Sequence, residues 1–265
     1  AISIALVAVI AADCVMTFFG STANDAAFNA WVTDNTHEEF RGKVESVLSV
    51  LPLLAMLIVA GGFGILVSFL GYKGLFLGLG ALISVCGIVG LFTVVDSPSL
   101  LKNGTFKDIV YGFKPKVIKG NPAYYLTLLV IGIYGIACQI FMPYLIIYMK
   151  TYLGFSVVEY SVVFGAAILL GAAINILLGK TSDRHDKVKL LYLAAGILSI
   201  GLMGMYLSDF RSKTANLLCF GIAGFVMITG YIFTLSLSSA TLRDQEPKGQ
   251  SGKLQGIRMI FSVLL

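Results

Sequence analysis

Residues 20–31 read GSTANDAAFNAW, a polar stretch set inside a long apolar run. On an α-helix Thr22, Asp25 and Asn29 fall at i, i+3 and i+7 and share one face, with Ser21, Asn24 and Phe28 on the adjoining one. A carboxylate in such a place can carry a proton or hold a monovalent cation, while amides and hydroxyls can hydrogen-bond a polar solute. An ionisable group amid hydrocarbon is costly unless it faces protein or water, so Asp25 is a candidate for function; structural pairing between helices is the other reading. Comparable groups recur downstream, with Tyr134 and Gln139 near the middle of one apolar run and Tyr231 and Thr234 near the middle of another. The binding candidates for a solute or cation are therefore Asn24, Asp25, Asn29, Tyr134, Gln139, Tyr231 and Thr234. Hydroxyl, amide and aromatic groups suit a polyhydroxylated solute through hydrogen bonding and stacking, and they suit other polar solutes as well.

The elements that must position these groups follow from composition. Hydrophobic residues make up 57% of the chain and charged ones 12%, the latter roughly half the share of a soluble domain. Apolar stretches of about 20 residues or more match the length of helix that crosses hydrocarbon. Their continuity excludes the short alternating segments of a membrane barrel. The chain is expected to be an all-α, polytopic membrane protein, with part of a helix at 1–12 and spans near 13–33, 44–69, 75–95, 123–149, 157–178, 190–208 and 217–239. A further helix opens near 254.

Lysine and arginine fix the expected orientation. Loops on one side hold Arg41 and Lys43; Lys102, Lys107, Lys114, Lys116 and Lys119; Lys180, Arg184, Lys187 and Lys189; then Arg243, Lys248, Lys253 and Arg258. The other side holds Lys73, Lys150, Arg211 and Lys213. The positive-inside rule places the first set in the cytoplasm, which accounts for the net charge of +5 without nucleic acid as a partner. Tyr124, Tyr125, Tyr144 and Tyr148, nearer helix ends, read as interface anchors. Cys14, Cys86, Cys138 and Cys219 lie singly in different spans, without metal spacing, and read as packing residues. No metal site is expected.

Segment 96–122 is a lysine-rich polar interruption and reads as a cytoplasmic linker between a bundle at 1–95 and one at 123–265. A repeat spans this linker. DNTHEEFRGKV starts at Asp34 and DQEPKGQSGKL at Asp244, so that Gly42-Lys43 and Gly252-Lys253 coincide at one offset without a gap. Gly20 and Gly230 coincide at the same offset. Two parallel halves around a central loop are a plan of secondary transporters, with solute bound between them near the midplane.

The stretch GKTSDRHDKVKL at 179–190 resembles the signature loop of the major facilitator superfamily, broadly G-x-x-x-D-R-x-G-[RK]-x-[RK]. Gly179, Asp183, Arg184, Lys187 and Lys189 fit it, and Asp186 stands where Gly is usual. The resemblance implies a piece running from about the end of helix 3 to the start of helix 11, with the D…RGK loops following helices 4 and 10. It also implies a cytoplasmic gate built from Gly179, Asp183, Arg184, Lys187, Asp34, Arg41 and Gly42. In that gate Asp183 would accept hydrogen bonds at the start of the helix following Gly42, where unpaired amides and the helix dipole favour negative charge. Within the superfamily, the polar fourth helix and VTDNTHEEFRGKVES look most similar to the glycoside/pentoside/hexuronide:cation symporters, the melibiose-permease-like group. That group has Pro soon after its helix-4 Asp, whereas Ala26 and Ala27 follow Asp25 here.

The resemblance implies a monomeric, multi-pass protein of the cell membrane that moves a sugar or glycoside by alternating access, coupled to H+ or Na+ and using no other cofactor. A different solute (drug, organic anion or amino acid) and a non-transporting membrane sensor remain the alternatives. An enzyme is not expected, because no His lies in any span and Asp25 is the one clear intramembrane acid. No phosphate-cradling G-x-x-x-x-G-K-[ST] motif occurs.

Overall fold

The computed structural model describes residues 2–96, 106–208, 212–247 and 250–264. Lys102, Arg211 and Lys248, three of the topology-setting charges, lie outside the described residues. The described residues are helical and include no strand. In order they form α1 (Ile2–Ser21), a π-helical segment (Thr22–Phe28), α2 (Asn29–Asn35), α3 (Arg41–Thr93), α4 (Pro115–Gly120), α5 (Pro122–Ile147), α6 (Val157–Ser182), α7 (Lys187–Tyr206), α8 (Lys213–Gln245) and α9 (Ser251–Met259). Among the described residues seven stretches are long and apolar enough to cross a bilayer, and each overlaps at least one span expected from the sequence.

Two boundaries differ from expectation. Asp13 does not separate two helices: α1 runs through it, because Ala-Ala-Asp-Cys contains no residue that breaks the backbone ladder. Conversely, α3 holds two spans divided at Gly71, whose φ of 64° is open to glycine and strained for other residues. Residues 106–120 of the linker are folded rather than extended, as a 3₁₀ segment (Phe106–Phe113) followed by α4.

Contacts group the chain into two compact units, each drawn from both sides of the linker. Unit 1 comprises Ala1–Glu38, Asp96–Ile140 and Leu242–Leu265; unit 2 comprises Glu39–Val95 and Phe141–Thr241. The core of unit 1 gathers Val117, Leu128, Leu242, Leu254 and Ile257 around Tyr124. Tyr124 is thus a core residue at 1% exposure, not an interface anchor, whereas Tyr144 is 68% exposed. Cys14 and Cys86 also depart from the packing role expected of them, since both are exposed.

Unit 2 is held by two antiparallel helix pairs. On the first, Gly179 of α6 meets Ser46 of α3, and Asn175 donates to the Ser46 carbonyl at 3.1 Å and the Ser49 hydroxyl at 3.2 Å. Ser236 of α8 donates to Asn175 Oδ1 at 3.2 Å, so a fully buried amide joins three helices. In hydrocarbon such bonds act as interhelical glue. The second pair crosses where Gly201 of α7 meets the backbone of Met227 and Gly230 of α8 meets that of Leu198; a Cβ at either glycine would overlap backbone atoms. Small residues that let helix backbones touch are the membrane counterpart of a packed core.

The start of α6 carries a capping box: Ser156 Oγ accepts from Glu159 N at 3.3 Å, and Glu159 Oε2 accepts from Ser156 N at 2.7 Å. Ser156→Ala is expected to cost about 1 kcal/mol. A thermal melt of the detergent-solubilised protein should then fall by about 2–4 °C. An unchanged midpoint would show that the box does not limit stability.

Candidate functional site

The candidate gate begins where α6 ends. Asp183 is the C-cap residue of α6, and its two carboxylate oxygens reach the first turn of α3. Oδ1 accepts from Gly42 N at 2.6 Å and Oδ2 from Lys43 N at 3.0 Å. These amides have no partner within the helix, and the helix dipole favours an anion there. Gly42 is required by the approach itself, since a Cβ would come to 2.6 Å from Asp183 Oδ1 and 2.9 Å from Ser182 Cβ. Gly179, one turn back, plays the same part: a Cβ there would lie 2.7 Å from Ser46 Cβ. Arg41 is buried at the start of α3.

Arg184 is exposed and Lys187 half-buried at the start of α7. Asp186, at the position where the family pattern has Gly, is the N-cap of α7 and accepts from Val188 N at 2.9 Å. Its side chain supplies locally what a capping residue provides at a helix start.

Asp34 belongs to a second cluster, within unit 1. It accepts from Ser251 Oγ, at the first residue of α9, at 2.9 Å. Beside it Arg243, at the end of α8 and 1% exposed, donates through Nη1 to the Asn29 carbonyl at 2.6 Å and to Thr33 Oγ1. Its Nη2 donates to Asn29 Oδ1 at 2.9 Å. Thr33 and Arg243 are 210 residues apart, the offset of the sequence repeat, so equivalent positions of the two copies meet each other.

Glu246, one residue beyond the α8 span, is 8% exposed. Burial pushes its carboxyl above the usual range, while Arg258 and then Arg243 pull it back. Arg243 and Glu246 were not among the sequence candidates. The sequence places Arg243 only among the loop charges and does not single out Glu246.

The solute candidates separate by unit: Asn24, Asn29, Tyr134 and Gln139 lie in unit 1, Tyr231 and Thr234 in unit 2. Residues 22–28 form a π-helix, whose wider turn changes the α-helical spacing between Thr22 and Asn29. Asn29 Nδ2 instead donates to the Asn24 carbonyl five residues back at 3.3 Å, and Thr22 donates to Phe18 O at 2.7 Å. The side chain of Asp25 lies outside the described residues. Tyr134 and Tyr231 are half-buried and Gln139 is exposed, while Thr234 is buried and donates to Gly230 O at 2.8 Å within its own helix.

The chain matches the family described as Major Facilitator Superfamily over residues 2–265. No curated protein and no solved structure matches it. With seven candidate spans and a family match over residues 2–265, the chain belongs to the major facilitator superfamily, a family of membrane transporters.

Proposed function

We propose that this protein is a secondary active transporter that moves a small polar solute, a sugar or glycoside, across the cell membrane by alternating access coupled to H+ or Na+. The observation that carries the reading is the seat of Asp183 on the first turn of α3, because α3 precedes the linker and α6 follows it. A charged contact at that place can hold the lysine-rich side closed and release it when the halves rock. The solute class rests on the resemblance of the helix-4 region to the glycoside symporters and on the amide, hydroxyl and aromatic groups at mid-span. The division into bundles at 1–95 and 123–265 is part of the same proposal, as are the cytoplasmic placement of the gate and a monomeric state.

Two experiments bear on it. Uptake by the complete protein in proteoliposomes, with labelled sugars, glycosides, amino acids, organic anions and drugs under imposed H+ or Na+ gradients, should show gradient-driven accumulation of a sugar or glycoside. Accumulation of another class would replace the solute assignment, and no transport of any would overturn the function. Asp183→Asn should weaken the latch. A charge at a helix start is worth about 0.3–1 kcal/mol, or up to about 2 when partly buried, so a balanced equilibrium shifts several-fold. Labelling from the lysine-rich side of a single cysteine at Asn24, in a protein lacking its native cysteines, should rise by that factor. Unchanged labelling at normal abundance would refute the latch.

A further inference from the structure

The seam between α6 and α3 continues inward from Asp183, within unit 2. Residues of α6 that meet α3 recur at every fourth position: Asp183 on the amides of Gly42 and Lys43, Gly179 against Ser46, and Asn175 on the Ser46 carbonyl and the Ser49 hydroxyl. The helical rise from Asp183 back to Asn175 is about 12 Å, which puts the amide inside the α6 span. Beyond it the contact changes character. Val50, Leu53, Leu54 and Leu57 of α3 pack in one apolar core with Ala167, Ile168 and Ala172 of α6. Asn175, fully buried, thus stands where the polar part of the seam meets the apolar part.

The two parts differ in what separation costs. Hydrogen bonds across a seam exchange for bonds to water with little net change, whereas apolar surface drawn apart into water costs in proportion to its area. A seam that opens repeatedly should therefore part along its polar end and hold along its apolar one. The bonds of Asn175 divide in the same sense. Its Nδ2 donates to α3, which precedes the linker, and its Oδ1 accepts from Ser236 of α8, which like α6 follows it. Ser236 fixes the carboxamide on one half of the chain with its N–H groups aimed at the other.

We propose that Asn175 is an inner tier of the gate: its bonds to Ser46 and Ser49 hold the seam shut below Asp183, and they break when the seam opens while Ser236 keeps the amide in place. This rests on the alternating access proposed above, with α3 in one moving half and α6 and α8 in the other. The test uses the complete protein without its native cysteines and with a single one at Ser182, which is 1% exposed and faces Gly42 across the seam. A membrane-impermeant maleimide is added to either face of oriented vesicles. Asn175→Ala should speed labelling from the lysine-rich face about sevenfold, the worth of two ordinary interhelical hydrogen bonds, and Ser49→Ala about threefold. Labelling from the opposite face should not rise. Ser236→Ala removes a bond to the same amide within one half, so it should change labelling by less than about twofold. Equal acceleration from both faces, or a Ser236→Ala effect as large as that of Asn175→Ala, would show a merely structural amide and overturn the proposal. Should Asn175→Ala not accumulate, Ser49→Ala decides, and an unchanged rate there overturns the inner tier. Asp183→Asn on the same reporter separates the two readings: acceleration by Asp183→Asn without any by Asn175→Ala or Ser49→Ala leaves the latch standing and removes Asn175 from it.

Discussion

Arg243→Ala should destabilise the protein by about 3–5 kcal/mol, the usual cost of removing one partner from a buried charge cluster. The guanidinium is 1% exposed and makes hydrogen bonds to Asn29 and Thr33. Its loss removes three donated hydrogen bonds from Asn29 and Thr33 and a positive charge from beside Glu246. Arg243→Lys should fall between wild type and Ala, since an ammonium keeps the charge and loses the planar fork that serves Asn29 and Thr33 together. Fluorescence-detected size-exclusion chromatography after a heating series gives the shift directly, and about 10 °C or more is expected for Ala.

The effect should also depend on pH. Glu246 already has a raised carboxyl pKa from burial, and removing Arg243 raises it further. A group whose folded pKa is raised contributes stability below its unfolded value, and that contribution is lost as pH rises through the folded one. The Arg243→Ala deficit should therefore grow from pH 5 to pH 8, and Glu246→Gln in the same protein should recover part of it. A deficit under about 1 kcal/mol that is flat with pH would mean the cluster is not a closed electrostatic unit.

Asp25→Asn should abolish concentrative uptake while sparing exchange. The substitution keeps the size of the side chain and removes the group that can carry a coupling proton or neutralise a cation. Without coupling, the ratio of internal to external solute should fall to about one, and downhill exchange should continue because the substitution leaves the other proposed solute-binding groups in place. A structural role predicts something else: abundance falls, and accumulation and exchange decline together with their ratio unchanged. Normal accumulation by a well-expressed Asp25→Asn protein would remove Asp25 from the coupling mechanism and leave Asn24 as the nearer candidate on that segment.

Different parts of this architecture were legible for different reasons. The seven spans were readable because crossing hydrocarbon demands a minimum apolar length, which shows in composition alone. The place of Asp183 on the amide of Gly42 was readable because a family motif names both partners and a helix start supplies the donors. Gly179 and Gly42 followed, since only a residue without Cβ tolerates that approach. The π-helical turn was not readable, because a widened turn leaves no mark in the order of Thr22, Asp25 and Asn29. The burial of Arg243, Glu246 and Tyr124 was hidden for another reason. Each sits at a span end, where the same residue types face water or headgroups in most membrane helices, and only tertiary packing makes them core. Asp186 showed the reverse, a departure from the family pattern that is a sound local choice because it caps α7.

The reciprocal contacts of Gly201 with Met227 and of Gly230 with Leu198 have a mechanical meaning. Two helices whose backbones touch at points three residues apart on each cannot slide or roll past one another without collision. The α7–α8 pair is therefore a strut, stiff along its length, and any rocking that passes through unit 2 must carry it whole. Such a strut transmits displacement from one membrane face to the other without absorbing it. Under the proposed alternating access, the joints are then to be sought in turns and wide helical segments, away from this crossing.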